Sequence, residues 1–338
     1  MNKVVIYGCG KIGKLAYEYC KNRYDILFFV DKNAEIIKEY DAVPVYLPRK
    51  LKEYSDIKII IAVFQYEEVL TDIRCMGITN KNIELLKLSF EPVLSKVVEE
   101  ALDKRTINLG DWLEKNKNLY CREITFIPGG SHILDYMFLK LIAIKSGSKE
   151  YLEVGTYIGE SINILTDCCE KLYSVTLPIE KAMKQFKPSW RTNFIGKLAT
   201  NENIVSYYTD SRQFDFSKHA DTVDLYFIDG DHSYEGVYND TKNIFMNKKE
   251  DAIVVWHDFK YTNAEYKTPV IHAVYDVLED AFEHVYVTDN NACGIYIPPN
   301  RMDEFGFIMH ECKYNESASL YTYDVTLNCQ HLSLKNEL

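Results

Sequence analysis

Twice in this chain an apolar run ends at a glycine turn that opens onto a helical segment, and this limits the fold more than any other feature. The first passage runs Val4-Val5-Ile6-Tyr7 into Gly8-Cys9-Gly10-Lys11-Ile12-Gly13 and continues with helical patterning through Cys20. The second runs Tyr151-Leu152-Glu153-Val154 into Gly155-Thr156-Tyr157-Ile158-Gly159-Glu160-Ser161. Strands that alternate with helices pack as a parallel sheet covered on both faces. The chain is therefore expected to be α/β, with two doubly wound sheets.

Further runs set the boundaries. Ile26–Val30 ends at Asp31, and apolar stretches follow at Val43–Tyr46 and Ile59–Phe64, with a helical pattern from Glu67 to Arg74. These place a small domain at residues 1–90. Residues 91–125 are charged and helical with a break at Gly110, which suggests a connector. Pro128-Gly129-Gly130-Ser131 is turn chemistry, with Ser131 as the expected cap of a helix reaching Ile144. Strands are then expected at Leu172–Leu177, Ile204–Tyr208, Leu225–Asp229 and Ile253–Trp256, inside a domain spanning 126–300. Val285–Thr288 and Gly294–Ile297, joined by a short polar loop, suit an antiparallel hairpin at the sheet edge. Residues 301–338 show no period and are expected to form an appendage.

Composition narrows the function. The chain has 338 residues and a net charge of −11. An acidic surface repels phosphate backbones, so nucleic acid is disfavoured as a partner. No apolar run has the length of a membrane span. Nine cysteines without an export signal imply reduced thiols and a cytoplasmic setting, and the lack of a CxxC pair gives zinc no support.

The stretch Glu153 to Ser161, with the strand–helix series after it, resembles motif I of the Rossmann-like (class I) S-adenosylmethionine-dependent methyltransferases. Phe227-Ile228-Asp229-Gly230-Asp231-His232-Ser233-Tyr234-Glu235-Gly236 is similar to the small-molecule O-methyltransferases of glycan and antibiotic tailoring, and Val254–Phe259 fits their next strand. The resemblance covers roughly residues 125 to 298 by pattern. It implies a seven-stranded sheet closed by an antiparallel hairpin, and S-adenosylmethionine as cofactor. Glu153, Gly155, Thr156, Gly159 and Ser161 would line the methionine and ribose side, with Asp210 and Ser211 beside the adenine. The family's acid at the end of the second strand is replaced here by Thr176. Gly155→Val is expected to abolish cofactor binding and leave the fold intact.

Asp229, His232, His257 and Asp258 follow the fourth and fifth strands of this domain. By resemblance, Asp229, His257 and Asp258 match the positions that hold a divalent cation in metal-dependent relatives. An imidazole is unusual for magnesium, which leaves either a softer metal or a histidine base. The catalytic candidates are Asp229, His232 and His257.

Gly8, Gly10 and Gly13 with Asp31 fit a dinucleotide fingerprint. The small domain resembles those that precede sugar-modifying enzymes, so a nucleotide or nucleotide sugar is one expectation and a ligand-free scaffold the other. The primary expectation is methyl transfer to a hydroxyl of a sugar-type small molecule. An NAD-dependent oxidoreductase and a non-catalytic nucleotide-sugar-binding module are the alternatives. Homo-oligomerisation is left open.

Overall fold

The computed structural model describes residues 3–54, 57–63, 66–78, 83–84, 98–116, 119–125, 127–185, 190–262 and 265–310. The chain separates into two compact units, Met1–Ala101 and Leu102–Leu338.

In the first unit, strands β1 (Lys3–Tyr7), β2 (Asp25–Val30), β3 (Glu39–Tyr40), β4 (Val43–Tyr46), β5 (Lys58–Ile61) and β6 (Ile83–Glu84) form one sheet in the order β3-β4-β2-β1-β5-β6. All neighbours are parallel except β3, which runs antiparallel to β4. Val4, Val5, Ile6 and Tyr7 are all buried, as a strand covered on both faces requires. One core gathers Val5, Tyr7, Val30, Ile59 and Ile61 with Val69 and Ile73 of the helix Tyr66–Cys75.

In the second unit, β7 (Thr106–Ile107), β8 (Glu150–Val154), β9 (Lys171–Thr176), β10 (Ile204–Tyr208), β11 (Leu225–Ile228), β12 (Ile253–Trp256), β15 (Val285–Thr288) and β16 (Gly294–Tyr296) form an eight-stranded sheet. A separate two-stranded pair is made by β13 (Lys260–Thr262) and β14 (Glu265–Tyr266). The large sheet is ordered β10-β9-β8-β11-β12-β16-β15-β7. From β8 the chain lays β9 and β10 on one side, then crosses to lay β11 and β12 on the other. Such a reversal opens a crevice at the carboxyl ends of the two central strands, here β8 and β11.

The hairpin β15–β16 is antiparallel as expected, but it is not the edge. β16 lies between β12 and β15, and β7 pairs parallel with β15 beyond it. The supposed connector therefore contributes a strand. Its helix Leu109–Lys115 buries Gly110, and its Leu109 and Trp112 join the same core as Phe138, Tyr151, Phe227 and Val255. Trp112 Nε1 donates to the Phe305 carbonyl at 2.9 Å, and Phe305 is itself buried. Residues 102–116 and 299–310 thus belong to the second unit's fold, because their aromatic side chains have their burial there. Residues 91–97 and 311–338 lie outside the described residues. The cap of the helix Ile133–Ser146 is His132, not Ser131.

No helix among the described residues is long and apolar enough to cross a membrane.

Candidate active site

The crevice between β8 and β11 begins with close backbone packing. Gly155 has φ +96°, and a Cβ there would lie 2.1 Å from the Asp229 carbonyl oxygen. Glycine is demanded by the neighbouring strand end, so Gly155→Val would damage the fold itself, contrary to expectation. Gly159, at φ +99°, would place a Cβ 2.8 Å from the Ala199 nitrogen.

Behind this turn lies a buried polar cluster. Glu153 is fully buried, and its Oε2 accepts from Tyr151 Oη at 2.8 Å and Ser161 Oγ at 2.7 Å. Its Oε1 has no hydrogen-bond partner among the described residues. Burial pushes the Glu153 carboxyl up to about 7, an effect only partly offset by the hydroxyls around it. Thr156 Oγ1 lies 2.5 Å from Ser174 Oγ, and Thr156 is among the hydroxyls that offset the effect of burial on Glu153. Thr176 closes β9, with its side chain buried.

Glu160, to which the sequence assigned no role, ties a second segment over the turn. It accepts from Tyr136 Oη at 2.7 Å and from the Thr125 amide.

After β10, Asp210 caps a short 3-10 turn and pairs with Arg212. Its oxygens accept from the Arg212 amide at 3.1 Å, Nε at 2.9 Å and Nη2 at 2.7 Å. Ser211 is half-buried beside it.

The four residues after β11 and β12 do come together, but not as their spacing suggested. His257 lies between two carboxylates: Nδ1 is 3.2 Å from Asp229 Oδ1, and Nε2 is 3.2 Å from Asp135 Oδ2. Burial opposes charge on this ring, yet Asp229, Asp135 and Asp258 outweigh it and hold the His257 pKa well above its ordinary value. Asp135 is buried too, and despite that burial its bond to His257 and the amides of Ala292 and His132 hold its pKa low.

His232, more exposed, sets Nδ1 2.8 Å from Asp258 Oδ2, which also lies 3.2 Å from Lys267 Nζ. Asp258 sits at φ +56°, a left-handed conformation that turns the chain just past β12. Burial would raise its pKa, but His232 and His257 keep it well below the usual carboxylate range. Ser131 Oγ reaches Asp229 Oδ2 at 3.4 Å.

Among the described residues, one group has ligand atoms close enough to share a cation: Asp229, His232 and Asp258, within 4.8 Å of one another. The expected set contained His257 in place of His232. Both His257 nitrogens face carboxylates, so neither offers a lone pair to a metal in this arrangement.

Sequence reasoning missed Asp135 and Lys267. Asp135 stands 122 residues from its histidine. The one local signal was its position three residues after His132, where it closes a capping box.

In the first unit, the glycines divide. A Cβ at Gly8 (φ +104°) would lie 2.5 Å from the Ala62 carbonyl oxygen, and one at Gly13 would lie 2.0 Å from that of Gly8. A Cβ at Gly10 would meet nothing within 4 Å. Asp31 closes the turn: Oδ2 accepts from the Cys9 amide at 2.7 Å and Oδ1 from the Asn33 amide at 2.8 Å.

A family profile described as a methyltransferase domain matches residues 152–259. No curated protein sequence matches this chain. Among solved structures, the chain is similar to the O-methyltransferase TomG from Streptomyces achromogenes, involved in tomaymycin synthesis, in complex with S-adenosylmethionine. The identity is 13%, with 62% of this chain and 96% of that one covered and a TM-score of 0.37. It is also similar to an O-methyltransferase from Bacillus cereus with S-adenosylhomocysteine (12% identity, 62% and 97% covered, TM-score 0.34). A third is the N-methyltransferase NodS from Bradyrhizobium japonicum with S-adenosylhomocysteine (14% identity, 57% and 99% covered, TM-score 0.36). Likeness of that extent does not bear on function. The profile match runs from within β8 to just past β12, the part of the sheet where the strand order reverses.

Proposed function

We propose that the second unit transfers a methyl group from S-adenosylmethionine to a hydroxyl of a sugar or related small metabolite. The observation that carries this reading is Glu153. A fully buried carboxyl at the carboxyl end of a central strand keeps one oxygen without a partner among the described residues, beside a glycine turn at the switch point. A buried acceptor left unpaired is costly and calls for a donor from outside the chain. The cofactor's ammonium and ribose hydroxyls are such donors, and Glu153 with the Gly155–Gly159 turn would hold them.

When bound, the cofactor supplies an electrophilic methyl group on a sulfonium. The chain must then orient a hydroxyl and accept its proton. In this reading His232 does so. Asp258 holds its Nδ1, which fixes the ring so that Nε2 can take the proton. His257, held between Asp135 and Asp229, is spoken for and anchors Asp229 instead.

A second reading rests on the convergence of Asp229, His232 and Asp258. There a divalent cation of the softer kind would lower the hydroxyl pKa. Exhaustive EDTA treatment separates the two: turnover that survives chelation leaves the His232 base, and turnover restored by Mn²⁺ or Mg²⁺ favours the cation. The sugar-type acceptor rests on the resemblance of Phe227–Gly236 to glycan-tailoring enzymes.

Calorimetry of the full chain with S-adenosylhomocysteine, NAD and UDP-sugars tests the reading. Binding of S-adenosylhomocysteine is expected, and its absence would overturn the proposal.

A further inference from the structure

One oxygen of the site is crowded by nitrogens. Asp258 Oδ2 lies 2.8 Å from His232 Nδ1, 3.2 Å from Lys267 Nζ and 3.7 Å from His257 Nδ1. The two imidazoles come from the turns after β11 and β12. Lys267 arrives separately: past Phe259 the chain makes the hairpin β13–β14 and returns to the site. There the Lys267 amide donates to the Phe259 carbonyl at 2.9 Å. Its own carbonyl accepts from the Val270 and Ile271 amides at 3.0 and 3.2 Å. The backbone is thus pinned on both sides, and the lysine side chain is only 15% exposed.

The position is an unfavourable one for a lysine. Lys267 is the N-cap of the helix Thr268–Leu278, whose positive end disfavours a cation, and its side chain makes no capping bond. A solvent-exposed ion pair would offset little of that. This pair is largely enclosed, and it reaches the carboxylate that seats His232.

The acids of the site then have their counter-charges within the chain. His257 stands between Asp135 and Asp229, and Lys267 stands on Asp258. A divalent ion bound through Asp258 Oδ2 at about 2.1 Å would lie within roughly 5 Å of the ammonium, where like charges in a half-buried place repel strongly. His232 adds to the obstacle, because the nitrogen it turns to Asp258 donates there and offers no lone pair.

We infer that Lys267 is a positioning residue and the site's own cation: through Asp258 it holds His232 in place, and its charge keeps a divalent ion out. The inference rests on the reading of His232 as the base at this crevice. It favours that reading over the cation held by Asp229, His232 and Asp258.

The test titrates the full chain at pH 7.5 with MnCl₂ alone, followed by electron paramagnetic resonance, and with S-adenosylhomocysteine by calorimetry. Wild type should show no Mn²⁺ site tighter than roughly 1 mM that Asp258→Asn removes. Lys267→Met removes the charge, keeps an unbranched apolar chain, and should bind Mn²⁺ at least about tenfold more tightly. Lys267→Gln takes its place where Lys267→Met folds poorly. Adding Asp258→Asn to either should abolish the gain, which locates the ion at this carboxylate. Lys267→Arg keeps the charge and should refuse Mn²⁺ as wild type does. A lysine that served packing alone would leave Mn²⁺ affinity the same in all of these. No gain in the folded neutral variant overturns the inference. So does a wild-type Mn²⁺ site tighter than roughly 1 mM that Asp258→Asn removes, whatever the Lys267 variants do. Failure of wild type to bind S-adenosylhomocysteine overturns the methyltransferase reading instead, and the Mn²⁺ titrations still decide whether Lys267 is the cation of the site.

Discussion

The two glycine turns look alike in sequence and end differently in structure. Each follows a buried strand, and each has a glycine forced by a neighbouring carbonyl, Ala62 for Gly8 and Asp229 for Gly155. The acids beside them part company. Each Asp31 oxygen holds a backbone amide of its own unit, whereas Glu153 is buried with one oxygen unpaired among the described residues and its carboxyl raised to about 7. A turn closed by its own acid stands complete. The turn with the orphaned acid is the one to which the proposed function gives a ligand. The glycine spacing is thus the scaffold's signature in both units, and the state of the acid separates them.

The largest effect expected from this comparison is at Gly155. Any side chain there meets the Asp229 carbonyl in a left-handed backbone, so Gly155→Ala should destabilise the second unit by roughly 3 kcal/mol or more. Thermal unfolding followed by circular dichroism would show it. A variant with unchanged unfolding would mean that β8 and β11 do not pass as closely as described.

Glu153 comes next, and its sign can be fixed. Its folded-state pKa is raised from 4.5 to about 7, so the folded chain keeps a proton that the unfolded chain releases. The stabilisation is complete below about pH 4.5 and is lost as pH rises through 7, amounting to about 3 kcal/mol. Asp240, raised from 3.8 to about 6, acts in the same direction over a lower window. Glu153→Gln should remove most of the loss between pH 5 and 7.5 in urea titrations of the ligand-free chain. It should also weaken S-adenosylhomocysteine by about tenfold or more, because a charged acceptor is gone. An unchanged pH slope would show that Glu153 is ionised throughout, and the contrast with Asp31 would fail.

Asp31→Ala should cost roughly 2 kcal/mol, the worth of two amides left without their acceptor in a partly exposed turn. S-adenosylhomocysteine affinity should not move. If that affinity fell as well, the acid would not be serving its own turn alone.

Much of this was legible beforehand, for physical reasons that also mark where legibility ended. Strands such as Leu225–Ile228 and Ile253–Trp256 are short unbroken apolar runs, which a doubly covered sheet writes directly into sequence. Thr106–Ile107 is two residues long and leaves no period to read, so the sheet's edge was missed. Trp112 lies in a charged stretch whose one buried face is set by contact with Phe138 and Phe307. At the site, spacing brought Asp229, His232, His257 and Asp258 to one edge. It could not say which histidine faces which acid. That was decided by Asp135, delivered from a helix that precedes β8, and by the left-handed backbone at Asp258.

The smallest effect expected is at Gly10, and it bears most directly on the comparison. Gly10 caps the helix Lys11–Cys20 at φ −73°, a value any residue adopts, and the space its side chain would enter is empty. Gly10→Val should therefore change stability by less than about 1 kcal/mol, a modest capping loss offset by a stiffer unfolded chain. It should leave S-adenosylhomocysteine affinity alone. Because the fold is indifferent to this position, the variant reports on ligands only. The full chain titrated with UDP-, GDP- and dTDP-sugars and with NAD should give no heat that Gly10→Val removes, since each Asp31 oxygen already holds a backbone amide of its own unit. A response to one of these ligands that disappears in Gly10→Val would break the contrast: the first turn would then bind through the helix amides behind Gly10, with its acid still closed on itself.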